Sequence, residues 1–216
     1  MPHVFVETNW LFAYAAPAHH QVPAAAELLD RARNGEFTLH LPTLCIGEAR
    51  RVIRTKCQPR TEANALRRFL AHATTTGQVA AADATTTRTI LNQYESSIKA
   101  DLDTLDDRLN NLARLPHLRI FGLDDDMLTR TTELALSGIT PRPFDQAILG
   151  AVLVSAERLW AAGERRLSFC NIDTDLQPWG RTGDAKPELR AAYDNAHIWV
   201  YGDFTLTQPA RREGFE

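Results

Sequence analysis

The chain has no paired cysteines. Cys45, Cys57 and Cys170 stand alone, with no CxxC among them. This argues against a zinc site or a disulfide framework and reads them as small core residues in a reducing compartment. The seven histidines show no HxH or HExxH spacing. No apolar run reaches the roughly 20 residues of a membrane-spanning helix. The amino terminus reads as a strand and not as a signal peptide, so the cytoplasm is the expected compartment and no membrane partner is expected. An excess of positive charge is also missing: 24 Lys and Arg stand against 27 Asp and Glu, a net charge of -3. Any contact with a polyanion would therefore need a local basic patch. Internal repeats and low-complexity tracts are absent as well.

With 216 residues, 44% hydrophobic and 24% charged, the chain is expected to form one large domain with its own core, interrupted by an insertion. Strands are predicted at Val4–Val6, Phe37–Leu41, Leu118–Leu123, Leu167–Ile172 and His197–Tyr201. Helices are predicted at Pro23–Asn34, from Pro42-Thr43 to about Lys56 with Thr43 as cap, at Asp124–Ser137 and at Pro143–Ala162. Short strands alternating with helices predict an α/β fold, a mainly parallel sheet of about five strands covered on both faces. The strands vanish between Pro59 and Pro116, which predicts a helical insertion over about residues 57–117. Two Thr triplets fall there, and Leu91, Ile98, Leu105 and Leu112 recur every seven residues, with Leu102 and Leu109 between them. This seam fits a hairpin packed on its own domain, or a homodimer or protein-partner surface along the 91–112 helix.

Carboxylates occupy unusual places in this pattern. The opening stretch MPHVFVETNW carries Glu7 straight out of an apolar strand and into an apolar helix. Glu48 shares a helix face with Leu44 and Val52. Asp145 shares one with Ile148, Leu149 and Val152, in the first turn of the most apolar helix. Asp173 follows the fourth predicted strand, with Asp175 two residues on. In a parallel sheet, residues just after strands gather at the carboxyl edge, where ligands bind. Carboxylates crowded there repel one another, and at neutral pH a divalent cation is the simplest offset. All-oxygen ligands suit Mg²⁺ or Mn²⁺. Each acid also has a plain reading: Asp145 favourable at a helix N-terminus, Glu48 paired with Arg51 or Arg54, and Asp173 to Asp175 a turn.

These four stretches resemble the motifs of the PIN-domain ribonucleases, a family that includes the VapC-type toxins. VFVETN is similar to its first-strand motif, LPTLCIGEARRVI to its second, PRPFDQAILGAVL to its third and LSFCNIDTDL to its fourth, over about residues 3–56 and 118–204. The resemblance implies a three-layer α/β/α fold and Mg²⁺- or Mn²⁺-dependent endonucleolytic hydrolysis of RNA. Its catalytic metal ligands would be Glu7, Glu48, Asp145 and Asp173, with Asp175 as an accessory. Two features depart from the family. Glu7 stands where Asp is usual, and the insertion makes this chain longer than the compact toxins.

Thr8 and Asn9 are candidates to hydrogen-bond the acids from behind. Asn9 could equally cap a helix starting at Trp10. Residues 50–68 carry Arg50, Arg51, Arg54, Lys56, Arg60, Arg67 and Arg68 against Glu62 alone. Of these, Arg50, Arg51, Arg54 and Lys56 adjoin Glu48 and are the candidate RNA-phosphate contacts; a solvated helix face is the plainer alternative. The Arg67–His72 spacing matches the RxxxxH of HEPN ribonucleases without their all-helical context. Asp173-Thr-Asp175 resembles the nucleophile motif of haloacid-dehalogenase-type phosphatases, but Gln177 and Pro178 break the pattern. A non-catalytic PIN-like module binding RNA or protein is the other alternative.

Overall fold

The structure is a computed structural model that describes residues 1–139, 142–180 and 183–207, with side chains for all of these except residues 61 and 62. Five strands are described, β1 (His3–Phe5), β2 (Thr38–Pro42), β3 (Leu118–Phe121), β4 (Leu167–Cys170) and β5 (Ile198–Tyr201). They form one sheet in the order β3-β2-β1-β4-β5. All four pairings are parallel. The helices are α1 (Thr8–Ala15), α2 (Pro23–Arg33), α3 (Leu44–Lys56), α4 (Pro59–Thr75), α5 (Ala81–Asp103), α6 (Leu105–Leu112), α7 (Asp125–Ser137), α8 (Pro143–Ala161) and α9 (Pro187–Asn195). This is the α/β architecture that the alternation of apolar strands and punctuated helices predicts.

Register partners in a parallel sheet share a face. Phe5, His40 and Phe169 are such partners. On their side Phe121 packs on Met127 of α7 and on Ala151 and Val154 of α8, and Tyr193 of α9 lies against Phe169. On the other side α1, α2, α3 and α6 pack on one another. The helix layers enclose a core in which Trp10, Phe5, Phe169 and Leu39 are essentially inaccessible to solvent. Helices α7 and α8 cross closely at Gly150, where a β-carbon would fall 2.7 Å from Thr131 Oγ1 and 3.0 Å from the Met127 carbonyl.

The chain winds β1, β2, β3 toward one edge of the sheet, then returns across it to place β4 on the free side of β1 and β5 beyond. The winding direction therefore reverses between β1 and β4. At such a switch point the connections leave the two strands in opposite directions and open a crevice at their carboxyl ends.

The helical stretch is two things rather than one. Helices α4 and α5 form a hairpin around a small cluster of its own, Ala63, Leu70 and Leu91. Helix α6 belongs to the main core, where Leu105, Leu109 and Leu112 are buried. The heptad seam breaks at Thr104, between α5 and α6. Ile98 is buried and Leu102 packs on the core, so these seam residues are covered by the chain itself. In the Thr triplets each of Thr74, Thr75, Thr76, Thr85, Thr86 and Thr87 donates its hydroxyl to the carbonyl four residues back. Such bonds let Thr sit inside a helix without seeking an external partner.

Three local expectations need correction. Thr43 precedes α3 but makes no side-chain cap; its hydroxyl donates to the Phe121 carbonyl instead, tying β3 to the start of α3. Helix α1 begins at Thr8 and not at Trp10, so Asn9 lies inside it and Glu7 is the cap. Strand β4 ends at Cys170, and Ile172 beyond it is 44% exposed. Helix α9, which starts at Pro187, was not foreseen, because its nine residues are too polar to show a period.

Candidate functional site

Glu7 answers the puzzle of its own position. It leaves β1 at the switch point and caps α1, its Oε2 accepting the Asn9 backbone N–H at 2.7 Å. The residue is only 2% exposed. Its other oxygen, Oε1, is buried and has no hydrogen-bond partner. A carboxylate half satisfied in this way is costly unless something else meets it. Burial pushes the Glu7 carboxyl up to about 8; the Asn9 N–H works against that shift, and the negative charges of Asp173, Glu48 and Asp145 add to it. The three acids expected to converge on Glu7 are thus near enough to act on it electrostatically.

Each arrives on its own element. Glu48 stands on α3, which leaves β2, and its Oε2 accepts the Thr8 hydroxyl at 2.5 Å. Thr8 therefore links the first residue of α1 to α3, as expected of a residue that positions an acid. Asn9 contributes through its backbone. The Arg51 guanidinium reaches only to 3.9 Å from Glu48 Oε1, so the plain ion-pair reading accounts for little of Glu48. Asp145 lies in the first turn of α8, 8% exposed, and its Oδ2 accepts no hydrogen bond. Burial pushes its carboxyl up to about 6, with Asp173 adding to the rise, Arg142 opposing it, and Glu48 and Asp175 adding again.

Asp173 is held by its loop. Its backbone N–H donates to Asn171 Oδ1 at 2.7 Å, and its Oδ1 accepts the Asp175 N–H at 2.9 Å. The Leu176 and Gln177 N–H groups close on its carbonyl, each at 3.1 Å. The segment is indeed a turn, and the turn presents Oδ2. Behind it Asn171 is inaccessible to solvent, and Gln177 donates its amide to the Asn171 carbonyl at 2.7 Å. Gln177, which breaks the phosphatase-like pattern, has this structural use.

Sequence reasoning missed one participant. Arg142, at the start of α8, places Nη2 3.3 Å from Asp175 Oδ2, Nη1 3.9 Å from Asp173 Oδ2 and Nε 3.9 Å from Asp145 Oδ2. It stands three residues before Asp145, a spacing that puts two side chains on one helix side, but its link to Asp173 and Asp175 crosses the fold.

The expected RNA-contact residues are distributed differently. Arg50 and Arg54 both reach Asp106 Oδ2 on α6, at 2.7 and 3.2 Å. Lys56 lies 6.0 Å from the Phe12 ring centroid. Arg51 is the most open of the three arginines, with its side chain 71% exposed beside Glu48. Arg67 is taken by Glu95, at 2.6 and 3.0 Å, and by Asn92 at 2.6 Å. This holds α4 to α5 and leaves no free arginine for an RxxxxH motif.

Among the described residues, no three His, Cys, Asp or Glu side chains already stand in metal-ligating geometry. The chemistry of the donors nevertheless suits a hard divalent ion: carboxylates only, two of them with buried, unpartnered oxygens, and a guanidinium already drawn toward three acids. Compared with known proteins, the chain matches no family model, no curated protein and no solved structure.

Proposed function

We propose that the protein is a divalent-metal-dependent endoribonuclease of the PIN type. The observation that carries this reading is the Glu7 carboxylate, buried at the switch point with one unpartnered oxygen and facing the charges of Asp173, Glu48 and Asp145. Structural ion networks seldom leave a buried acid unmet; catalytic and metal sites do so regularly. Glu7, Glu48, Asp145 and Asp173 would hold Mg²⁺ or Mn²⁺, with Asp175 beside them. A bound ion of this kind supplies an acidified water and charge stabilisation at a phosphoryl centre. The chain's own part is placement. Thr8 holds Glu48, Asn9 holds Glu7, and the Asn171 turn holds Asp173. Of the four candidate residues beside Glu48, Arg51 and Lys56 are the least engaged by acids and are the proposed phosphate contacts, with Arg50 and Arg54 joining if Asp106 lets them go.

Single-stranded RNA incubated with the protein should be cut in Mn²⁺ and left intact in EDTA, and Asp173→Asn should abolish the cutting. Metal-independent cleavage, or an active Asp173→Asn protein, would reject the assignment. A second reading, a PIN-like module that binds RNA or protein without cutting, is favoured by the longer Glu7 side chain and by the absence of ready-made ligating geometry among the described residues. It predicts retained RNA binding with no cleavage in any metal.

A further inference from the structure

The guanidinium of Arg142 lies by two of the four carboxylates that the nuclease reading assigns to a metal, Asp145 and Asp173, and by the accessory Asp175. Each of its three nitrogens addresses a different acid: Nε faces Asp145, Nη1 faces Asp173 and Nη2 faces Asp175. We propose that Arg142 is a built-in competitor for the divalent ion, occupying the cation place of the free protein and moving out when metal enters. This inference rests on the reading of the acids as a metal site and adds a control on it.

Three features make Arg142 displaceable. Its separations are long, 3.3 to 3.9 Å, in the range of loose surface pairs such as Arg190 with Asp194 at 3.7 Å and unlike Arg67 on Glu95 at 2.6 Å. A contact at such range is electrostatic and unlocked, because hydrogen bonding has not set its geometry. Its side chain is 63% exposed, so it can rotate into solvent without unpacking the core. Its coverage is also incomplete: Glu7 Oε1 is buried and unpartnered. A guanidinium is a broad, planar cation on a long stem. A divalent ion is small, carries twice the charge, and can settle against the acids that the guanidinium leaves unmet.

The consequence is a reduction in metal affinity. A ligand that binds only the fraction of molecules with the guanidinium displaced has an apparent dissociation constant equal to the intrinsic one divided by that fraction. The site would then load only when free divalent ion is plentiful, and would stay neutralised when it is scarce.

The test is Mn²⁺ binding to the full chain near neutral pH, measured by calorimetry and by loss of the free-ion paramagnetic resonance signal. Wild type is compared with Arg142→Ala, Arg142→Lys and Asp173→Asn. Arg142→Ala should bind Mn²⁺ about fivefold more tightly, a factor appropriate to losing one solvent-exposed charge contact. Arg142→Lys, which keeps the charge and loses the fork, should fall between the two. Equal affinity in wild type and Arg142→Ala would overturn the proposal, as would weaker binding in Arg142→Ala, which would make the arginine a support of the bound state. Failure of every protein to bind Mn²⁺ would overturn the metal-site reading itself. Loss of binding in Asp173→Asn alone, with wild type and Arg142→Ala equal, would leave that reading standing and reject only the competition.

Discussion

The acidic pocket and the basic run that adjoins it treat charge in opposite ways. Along α3 and α4 the arginines look, in sequence, like an unmatched positive stripe. In the fold, Arg50 and Arg54 meet Asp106, and Arg67 meets Glu95 and Asn92. These pairs lie near hydrogen-bond length and join one element to another, although the second oxygen of Asp106, Oδ1, is itself buried without a hydrogen-bond partner. At the switch point the carboxylates are buried or half-buried, come from four separate elements, and include oxygens that nothing meets. Charges paired at the surface contribute little to stability and need no function to explain them. Charges buried without partners cost stability, so their presence points to a use elsewhere than in folding. A count of charges along the chain would have ranked the two regions the other way.

The largest effect should come from removing that cost. Glu7 has a folded-state carboxyl pushed from 4.5 up to about 8. A carboxyl raised in this way leaves the native state holding a proton that the unfolded chain has already lost. Its contribution to stability is intact below about pH 4.5 and is lost as pH rises through about 8. Glu7→Gln keeps the cap to Asn9 and removes the titration. In EDTA at pH 8.5 it should stabilise the protein by on the order of 3 kcal/mol, and at pH 4 by almost nothing. Asp145→Asn should show the same sign over a lower window, with stability in the wild type lost as pH rises from 3.8 through about 6. Saturating Mn²⁺ should stabilise wild type by about 2.7 kcal/mol at a hundred times its dissociation constant, and both variants much less. Urea unfolding at the two pH values decides this. If Glu7→Gln destabilises at pH 8.5, the buried acid is a structural cap and the contrast between the regions collapses.

The architecture was legible because its strands are short apolar runs bounded by Pro, Gly and polar turns. All five expected strands exist, each shifted by only one or two residues at an end. The four acids could also be picked out, since each interrupts an apolar pattern. The partners of those acids could not. Arg142 touches Asp173 and Asp175 about thirty positions away, and Asn171 acts through a turn whose hydrogen bonds have no period. The division of the seam was hidden for a related reason. Seven-residue spacing shows which residues point one way, but Leu91 joins the hairpin's own cluster while Leu102, on the same helix, and Leu105, beyond Thr104, pack on the main core. The pairing of the arginine run was hidden because Asp106 and Glu95 lie 28 to 56 positions from the residues they meet, a pairing that only the fold creates.

A smaller effect would sharpen the account of the basic run. Asp106 receives both Arg50 and Arg54. Its carboxyl is held below the usual range by the hydrogen bond from Arg50 and then by the charges of Arg50 and Arg54. Asp106→Ala should loosen the contact between α3 and α6, seen as faster amide exchange at the ends of those helices, with the core unaffected. If RNA lies along α3, freeing two arginines should also steepen the salt dependence of RNA binding by up to about two units on a log–log plot. Faster exchange with an unchanged slope would assign Arg50 and Arg54 to structure alone.

The finest test separates Arg51 from Arg67, two residues that the sequence presents as equivalent members of one stripe. Arg51 has its side chain 71% exposed and only a 3.9 Å contact with Glu48. Arg67 is 31% exposed and held by two oxygens of Glu95 and one of Asn92. A phosphate contact needs a cation that is free to give up its counterion. Arg51 satisfies that and stands beside an acid of the pocket, where a bound strand would pass; Arg67 would first have to leave a bidentate partner. Arg51→Ala should therefore lower the log–log salt slope of RNA binding by about one unit. Arg67→Ala should leave the slope unchanged and loosen the hairpin, visible as faster exchange in α4 and α5. Binding measured between 50 and 200 mM salt resolves a difference of one unit. A slope that falls for Arg67→Ala and not for Arg51→Ala would move the RNA path from the pocket to the hairpin, and the two regions would exchange roles.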